Sequence, residues 1–361
     1  MSQIPVEDHL AHVARCMIDG TVVPFLGAGA NLCGRPENTP WSKGRYLPSG
    51  AELAAELIEL AKYPDTSDRD LMRISQYFDA TLGAGDLYKA IRDPFDAEYP
   101  PTALHEFLAA LARLLGERGK PRQVILTTNY DDALERAFDA MDPPEPFDLI
   151  WYEAKPPDCG RFIHQRRASD IAPEDRGDER DAASVTIARP NEYVDLEPGE
   201  RTIIVKLHGA MVRTDPSRDS YVITEDDYIR YLTGADIASQ LPVVVRERIK
   251  ESHLLFLGYS MRDWNLRVVL ERLGGSEVLG NQDWSVQREP STRASKQIEE
   301  TLWSERDVDL RFILLDEYVE RLTEAVHAAI AAERARKLAQ EQAAALARSQ
   351  PPPAKPPRPT F

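Results

Sequence analysis

Apolar positions along the chain fall into two kinds of pattern. The first is a short, continuous apolar run that ends abruptly in glycine or polar residues: Val22–Leu26 before GAGAN, Gln123–Leu126 before TTNYD, Thr202–Leu207 before HG, and Leu254–Leu257 before GYSMRDWN. Runs of that length, rich in β-branched residues and bounded by turn formers, predict strands buried on both faces. WSVQ (284–287) and VDLRFILL (308–315) add two further strand candidates, and shorter ones lie near 147–152 and 161–165. The second pattern repeats at helical spacing. It predicts helices over 5–19, 49–63, 68–81, 84–92, 101–116, 131–141 and 317–348, with Gly20 ending the first and Thr224 capping another that carries Asp227 three residues on. Strands alternating with helices predict an α/β fold, a parallel sheet covered by helices on both faces.

Two stretches break the alternation. Residues 31–48 hold turn formers and little periodicity, which predicts a long, mobile or functional loop. Between 142 and 200, Pro143, Pro144, Pro146, Pro156 and Pro157 interrupt any regular element, and SDIAPEDRGDERD (169–181) predicts a disordered charged loop. The division expected is one catalytic domain over 1–325, with a helical insert at about 31–120 and an irregular one at 142–200. The end of the last helix and a proline-rich tail follow over 326–361. No internal repeat is visible.

Composition narrows the function. The chain has 361 residues, 42% hydrophobic and 29% charged, with net charge −16. Such a surface repels a free polyanion, so direct nucleic-acid binding is not expected. Its charge is uneven: from Ala331 onward six basic residues outnumber two acidic ones, a local +4. Cys16, Cys33 and Cys159 stand far apart, which argues against a disulfide framework and a structural zinc site. An acidic N-terminal segment without a signal region, and the lack of a membrane-length apolar run, predict a cytoplasmic protein.

In open parallel sheets, ligands bind beyond the carboxyl ends of the strands. All four strongest strands end in residues suited to chemistry, and one crevice can gather all four turns. Gly27, Ala28 and Gly29 suit close approach by a phosphate, though the same turn also serves plain strand–helix packing. Leu32 stands where a dinucleotide fingerprint has its third glycine, and no strand ends in an acid about twenty residues on, so hydride transfer is disfavoured. Thr128, Asn129 and Asp131 follow the second strand, where Asp131 has the alternative role of capping the next helix. His208 follows the third strand, and from position alone it reads as structural or catalytic. The segment Gly258, Tyr259, Ser260 through Asp263 and Asn265 either forms a simple turn and cap or closes over a nucleotide.

Together, GAGAN (27–31), TTNYD (127–131), KLHG (206–209) and FLGYSMRDWN (256–265), with TEDDY (224–228), resemble the sirtuin-like family in order and spacing over roughly residues 18–325. The resemblance implies a Rossmann sheet with a smaller insert, and NAD⁺ bound between them as substrate. It places the diphosphate at Gly27, Ala28 and Gly29 and the nicotinamide and its ribose at Asn129 and Asp131, with His208 as general base. Asn31, Thr128, Gly258, Tyr259, Ser260, Asp263 and Asn265 complete the expected binding set. An imidazole suits the base role because its ordinary pKa lies near 6.5. Two departures matter. Deacylating sirtuins carry a four-cysteine zinc module that this chain cannot build, and they have Gln where Thr128 stands. The GYSMRDWN form is similar instead to a bacterial antiphage branch of NAD⁺ glycohydrolases. Members of that branch act in larger assemblies, as homo-oligomers or with a DNA-translocating ATPase or an argonaute-like protein. The expected reaction is therefore hydrolysis of NAD⁺ to nicotinamide and ADP-ribose, without a metal. The competing readings are an NAD-dependent deacylase or ADP-ribosyltransferase, and a non-catalytic NAD⁺ or ADP-ribose-binding subunit.

Overall fold

The computed structural model describes residues 4–165, 184–234, 236–261, 264–273 and 282–349, apart from the side chains of residues 264–265 and 344–349. The charged loop 169–181, Asp263 and the proline-rich tail from residue 350 lie outside the described residues.

The strands, in chain order, are β1 (Val22–Leu26), β2 (Val124–Thr127), β3 (Phe147–Tyr152), β4 (Phe162–Gln165), β5 (Ser184–Thr186), β6 (Thr202–Lys206), β7 (Gly209–Ala210), β8 (Ser220–Tyr221), β9 (His253–Leu257), β10 (Asp283–Gln287) and β11 (Val308–Phe312). The helices are α1 (Val6–Asp19), α2 (Gly50–Ala61), α3 (Leu71–Leu82), α4 (Ala84–Phe95), α5 (Ala103–Glu117), α6 (Ala133–Asp139), α7 (Glu225–Thr233), α8 (Ile237–Gln240), α9 (Val243–Lys250), α10 (Trp264–Leu273), α11 (Arg293–Ser304) and α12 (Leu315–Ser349). No helix among the described residues is long and apolar enough to cross a membrane.

Among the described residues, nine strands form one sheet in the order β11-β10-β9-β1-β2-β6-β3-β4-β5. Pairing is parallel from β11 to β3, and antiparallel for β3–β4 and β4–β5. The fold is thus α/β and Rossmann-like, as the alternating pattern predicts, with an antiparallel edge. The predicted strands at 147–152 and 161–165 form that edge together with β5, which no periodicity announces. Every residue of β1, β2 and β6 is buried, which explains their unbroken apolar runs. Pro24 has no amide to donate, and β1 pairs with β2 only from Phe25 onward.

Helices cover the sheet on both sides. One core joins α1, α5, α6 and α12 to the face carrying Leu26, Ile125 and Ile204. The other joins α7–α11 to the face carrying Phe25, Leu126 and Val205. A third core is separate, in the lobe built by α2–α4: Leu53, Leu57, Ile74, Phe78, Leu87 and Ile91 pack with Met211, Tyr221 and Ile223 from the β7–β8 region. Helix boundaries follow local chemistry. Gly20 closes α1 in the left-handed conformation, Ser49 and Glu52 form a capping box on α2, Asp70 caps α3, and Thr224 with Asp227 caps α7.

Arg92 and Arg213 link the lobe to the β7–β8 segment and to the start of α6, Arg213 also donating to the Phe95 and Ala97 carbonyls. Arg92 of α4 reaches both carboxylate oxygens of buried Asp219 with one nitrogen, each at 2.8 Å. Arg213 grips Asp132 through two bonds of 2.6 and 2.9 Å. The lobe thereby stands over the carboxyl ends of the central strands.

Candidate active site

β1 lies between β2 and β9, so the chain leaves the sheet's centre in both directions there. Such a reversal opens a crevice at the carboxyl ends of the strands, and all four predicted turns meet at it. The turns after β1 and β9 are welded by backbone bonds: the Gly27 amide donates to Leu257 (3.0 Å) and the Gly29 amide to Gly258 (2.9 Å). The Thr128 amide donates to Leu26, and the Leu207 amide to Thr127, tying in the turns after β2 and β6.

This weld revises the reading of the glycines. A side-chain carbon on Gly29 would sit 2.6 Å from the Gly258 carbonyl oxygen, and one on Gly27 2.8 Å from the same atom. Gly258 has φ +75°, and a Cβ there would lie 2.3 Å from the Ala30 amide nitrogen. Contact between two turns therefore already demands these glycines, before any phosphate is considered.

Two cavities flank the weld. The first, of 490 Å³, is lined on the sheet side by Ala28, Asn31, Thr128, Asn129, Tyr130, Asp131, His208, Tyr228 and Tyr259. Its other wall comes from Pro48, Ser49, Gly50, Leu53, Arg69, Asp70, Leu71, Met72 and Phe95 of the helical lobe, with Leu266 and Val269 of α10. The amino-terminal ends of α2 and α3 both border it, which favours a negatively charged occupant. The second cavity, of 540 Å³, is lined by Gly29, Cys33, Arg35, Glu37, Gly258, Tyr259, Ser260, Gln287, Arg288 and Asp316, among others. Tyr259 borders both cavities. The loop 31–48 forms a wall of the second, held by paired Arg35–Glu52 bonds.

In the first cavity, Asn129 is tethered. Its amide nitrogen donates to the Gly27 carbonyl (3.1 Å) and to Asn31 Oδ1 (3.3 Å), and its backbone amide donates to Thr127 Oγ1 (3.0 Å). Asn31 in turn donates to Asp131 Oδ2 at 2.6 Å. The other Asp131 oxygen accepts the Ala133 amide (3.1 Å), so the carboxylate both satisfies the first amide of α6, ahead of its N-cap Asp132, and anchors the asparagine pair. Thr128 Oγ1 meets the Tyr259 hydroxyl at 2.7 Å, bridging the second and fourth turns.

His208 is held differently. Tyr228 and Tyr231 stand edge-on to its ring, with centroids at 5.5 and 5.3 Å. Nδ1 lies 3.5 Å from the Tyr228 hydroxyl, and buried Nε2 has no hydrogen-bond partner among the described residues. Burial drives the imidazole pKa down to about 3, well under the value near 6.5 that the sequence alone predicts, so the ring is neutral. Gly209, at φ +92°, follows it, where any side chain would collide with the Ser220 carbonyl.

The structure thus brings Ala28, Asn31, Thr128, Asn129, Asp131, His208 and Tyr259 to one cavity, and Gly29, Gly258, Tyr259 and Ser260 to its neighbour. Gly27 lies in the weld without lining either cavity. Asn265 begins α10, with its side chain outside the described set. Tyr231 beside His208 and the wall from α2–α4 escape sequence reasoning. The TEDDY segment signals Tyr228, but nothing local signals Tyr231 three residues on. No group of three or more His, Cys, Asp or Glu among the described residues is arranged to hold a metal.

The family model of the SIR2-like domain matches residues 123–311, just over half of the chain. The match contains the second, third and fourth turns. The first turn and the helical lobe lie outside it and join the site through the geometry above. No curated protein matches the chain.

Proposed function

The chain belongs to the SIR2-like domain family, and from that premise we propose that it cleaves the nicotinamide–ribose bond of NAD⁺, with water as acceptor. One observation carries this reading: Asn129 and His208, from separate strands, face one cavity at the strand reversal, and the buried Nε2 of His208 is unspent among the described residues. The nicotinamide riboside would lie in the first cavity. The diphosphate would cross beside Ala28 and Tyr259, and the adenosine would enter the second cavity near Ser260.

The nicotinamide of NAD⁺ is already a cationic leaving group, so the bond needs little acid help. Its departure takes the bonding electron pair and leaves an oxocarbenium-like ribose. The chain then has to position the ribose, tolerate its positive charge, and take a proton from the attacking water. Neutral His208 has a ring nitrogen without a partner among the described residues; burial makes it a weak base, and water becomes acidic enough to give it the proton only as it bonds to the oxocarbenium carbon. Asn129 offers its carbonyl to a ribose hydroxyl or the water, since its amide nitrogen is committed to Gly27 and Asn31. Asp131 lends negative charge two hydrogen bonds from Asn129, through Asn31. The products are nicotinamide, ADP-ribose and a proton.

We assign the biological role by resemblance of residues 256–265 to the antiphage branch: depletion of cellular NAD⁺ as the toxic arm of a bacterial defence system, working as a homo-oligomer or with an ATPase or argonaute-like partner. The test of the chemistry is release of nicotinamide and ADP-ribose from NAD⁺ by the purified protein, alone and with the product of any adjacent gene. Tight NAD⁺ binding without turnover under both conditions would leave a binding subunit in its place.

A peptide acceptor has one observation in its favour. Leu53, Leu71, Met72, Phe95, Leu266 and Val269 give the first cavity an apolar wall suited to an acyl chain. NAD⁺ consumption that depends on added acyl-lysine peptide would select this reading.

A further inference from the structure

The KLHG segment holds one residue that the proposed chemistry leaves without a task. Lys206 ends β6, is 1% exposed, and borders neither cavity. Its ammonium lies 2.5 Å from Glu135 of α6 and donates to the main-chain carbonyl of Asp131 at 2.5 Å. The Tyr130 carbonyl stands at 3.5 Å and also accepts the Met211 amide. A buried cation is costly unless paired and hydrogen-bonded, and these partners satisfy both conditions. The pair does more than neutralise itself. It seizes the backbone of the TTNYD turn from beneath, while Asn31 holds the same turn from above through Asp131 and Asn129.

We propose that Lys206, neutralised by Glu135, is a positioning residue that fixes the 127–131 turn and so sets where Asn129 meets the ribose. A lysine is needed because one tetrahedral ammonium can serve a carboxylate and a backbone carbonyl at once, with its charge cancelled. Leucine or methionine could fill the volume but could not hold the turn. The proposal rests on the NAD⁺-cleavage reading for its kinetic consequence, and on geometry alone for its structural one.

The test uses the full chain and two variants. Lys206→Met leaves Glu135 buried without its partner and risks misfolding. The double variant Lys206→Met/Glu135→Leu removes both charges together, an exchange that buried pairs tolerate well. The first measurement is hydrogen–deuterium exchange of the 127–131 amides, which is independent of turnover. In the double variant it should rise at least about tenfold, while exchange in β1 and β6 is unchanged. Unchanged exchange in the turn would overturn the proposal even if the protein proved not to cleave NAD⁺. The second is NAD⁺ turnover beside the unaltered protein. The kcat should fall about a hundredfold with KM within a factor of about three, because a misplaced reacting group loses rate before binding. Full kcat in a well-folded double variant would refute the role while leaving NAD⁺ cleavage intact. Silence of the unaltered protein, both alone and with the product of any adjacent gene, would remove the NAD⁺ reading but not the exchange result.

Discussion

Asn129 and His208 share a cavity yet are held by opposite means. Asn129 is fixed by polar bonds, to Gly27 and Asn31, with Asp131 behind them. His208 is fixed by shape, between two tyrosine edges, with one ring nitrogen lacking a partner among the described residues. The asparagine's amide nitrogen is already used in the resting protein, so its orientation is set and its carbonyl is the group left to offer. The imidazole retains its capacity, and the cost of burying it is met by packing. The asparagine is built to orient, while the unpartnered imidazole is built as a weak base that takes a proton only from a strongly acidic donor.

Four experiments can break this contrast. The largest effect belongs to His208→Ala. Loss of the unpartnered nitrogen should cut nicotinamide release by about 10³-fold or more, with the circular dichroism of the fold retained. Undiminished release would remove His208 from the mechanism. Asn129→Ala should follow, with a fall of about 10²-fold or more. Asn129→Asp should rescue little, since a carboxylate repels the Gly27 carbonyl that the amide now faces. Activity near normal in Asn129→Asp would mean that the polar tether does not matter.

The third experiment concerns acid. The folded pKa of His208, about 3, lies below the value of about 6.5 expected for an unfolded chain. Between those values the unfolded chain binds more protons, so stability falls as pH drops below about 6.5. Replacing the ring by leucine removes that linkage. Between pH 7 and 5, His208→Leu should therefore lose about 2 kcal/mol less unfolding free energy than the parent, by chemical denaturation. Equal losses would show that the ring is protonated, or exposed, in the folded protein. The smallest effect is expected from Tyr228→Phe. It removes the 3.5 Å contact to Nδ1 and leaves the aromatic edge, so turnover should change by no more than a few fold. A loss as large as that of His208→Ala would make the tyrosine hydroxyl part of the proton path.

The sequence exposes this site unevenly, for physical reasons. Strands such as Thr202–Lys206 declare themselves because burial on both faces leaves little polar but the ends. The chemistry after them is legible because polar residues following such runs have little else to do. Helices α2–α4 are visible from period and caps, but their seat over the cavity is not. Arg92 meets Asp219 across 127 positions, and no local pattern encodes that distance. β5 has three half-buried residues and no alternation to reveal it. Gly27 and Gly29 are ambiguous when read locally, because the atom they make way for, the Gly258 carbonyl, belongs to a turn more than two hundred positions away.

The clamp between Arg92 and Asp219 has a consequence for how a ligand arrives. With the roof bolted to the β7–β8 segment beside the floor, the expectation is a chamber that keeps its contour as a ligand enters. Uptake should then proceed by threading through a standing doorway, with association rates insensitive to any opening step and little reshaping in calorimetry. If some other molecule licenses the reaction, the doorway and the bolt itself are the places for it to act.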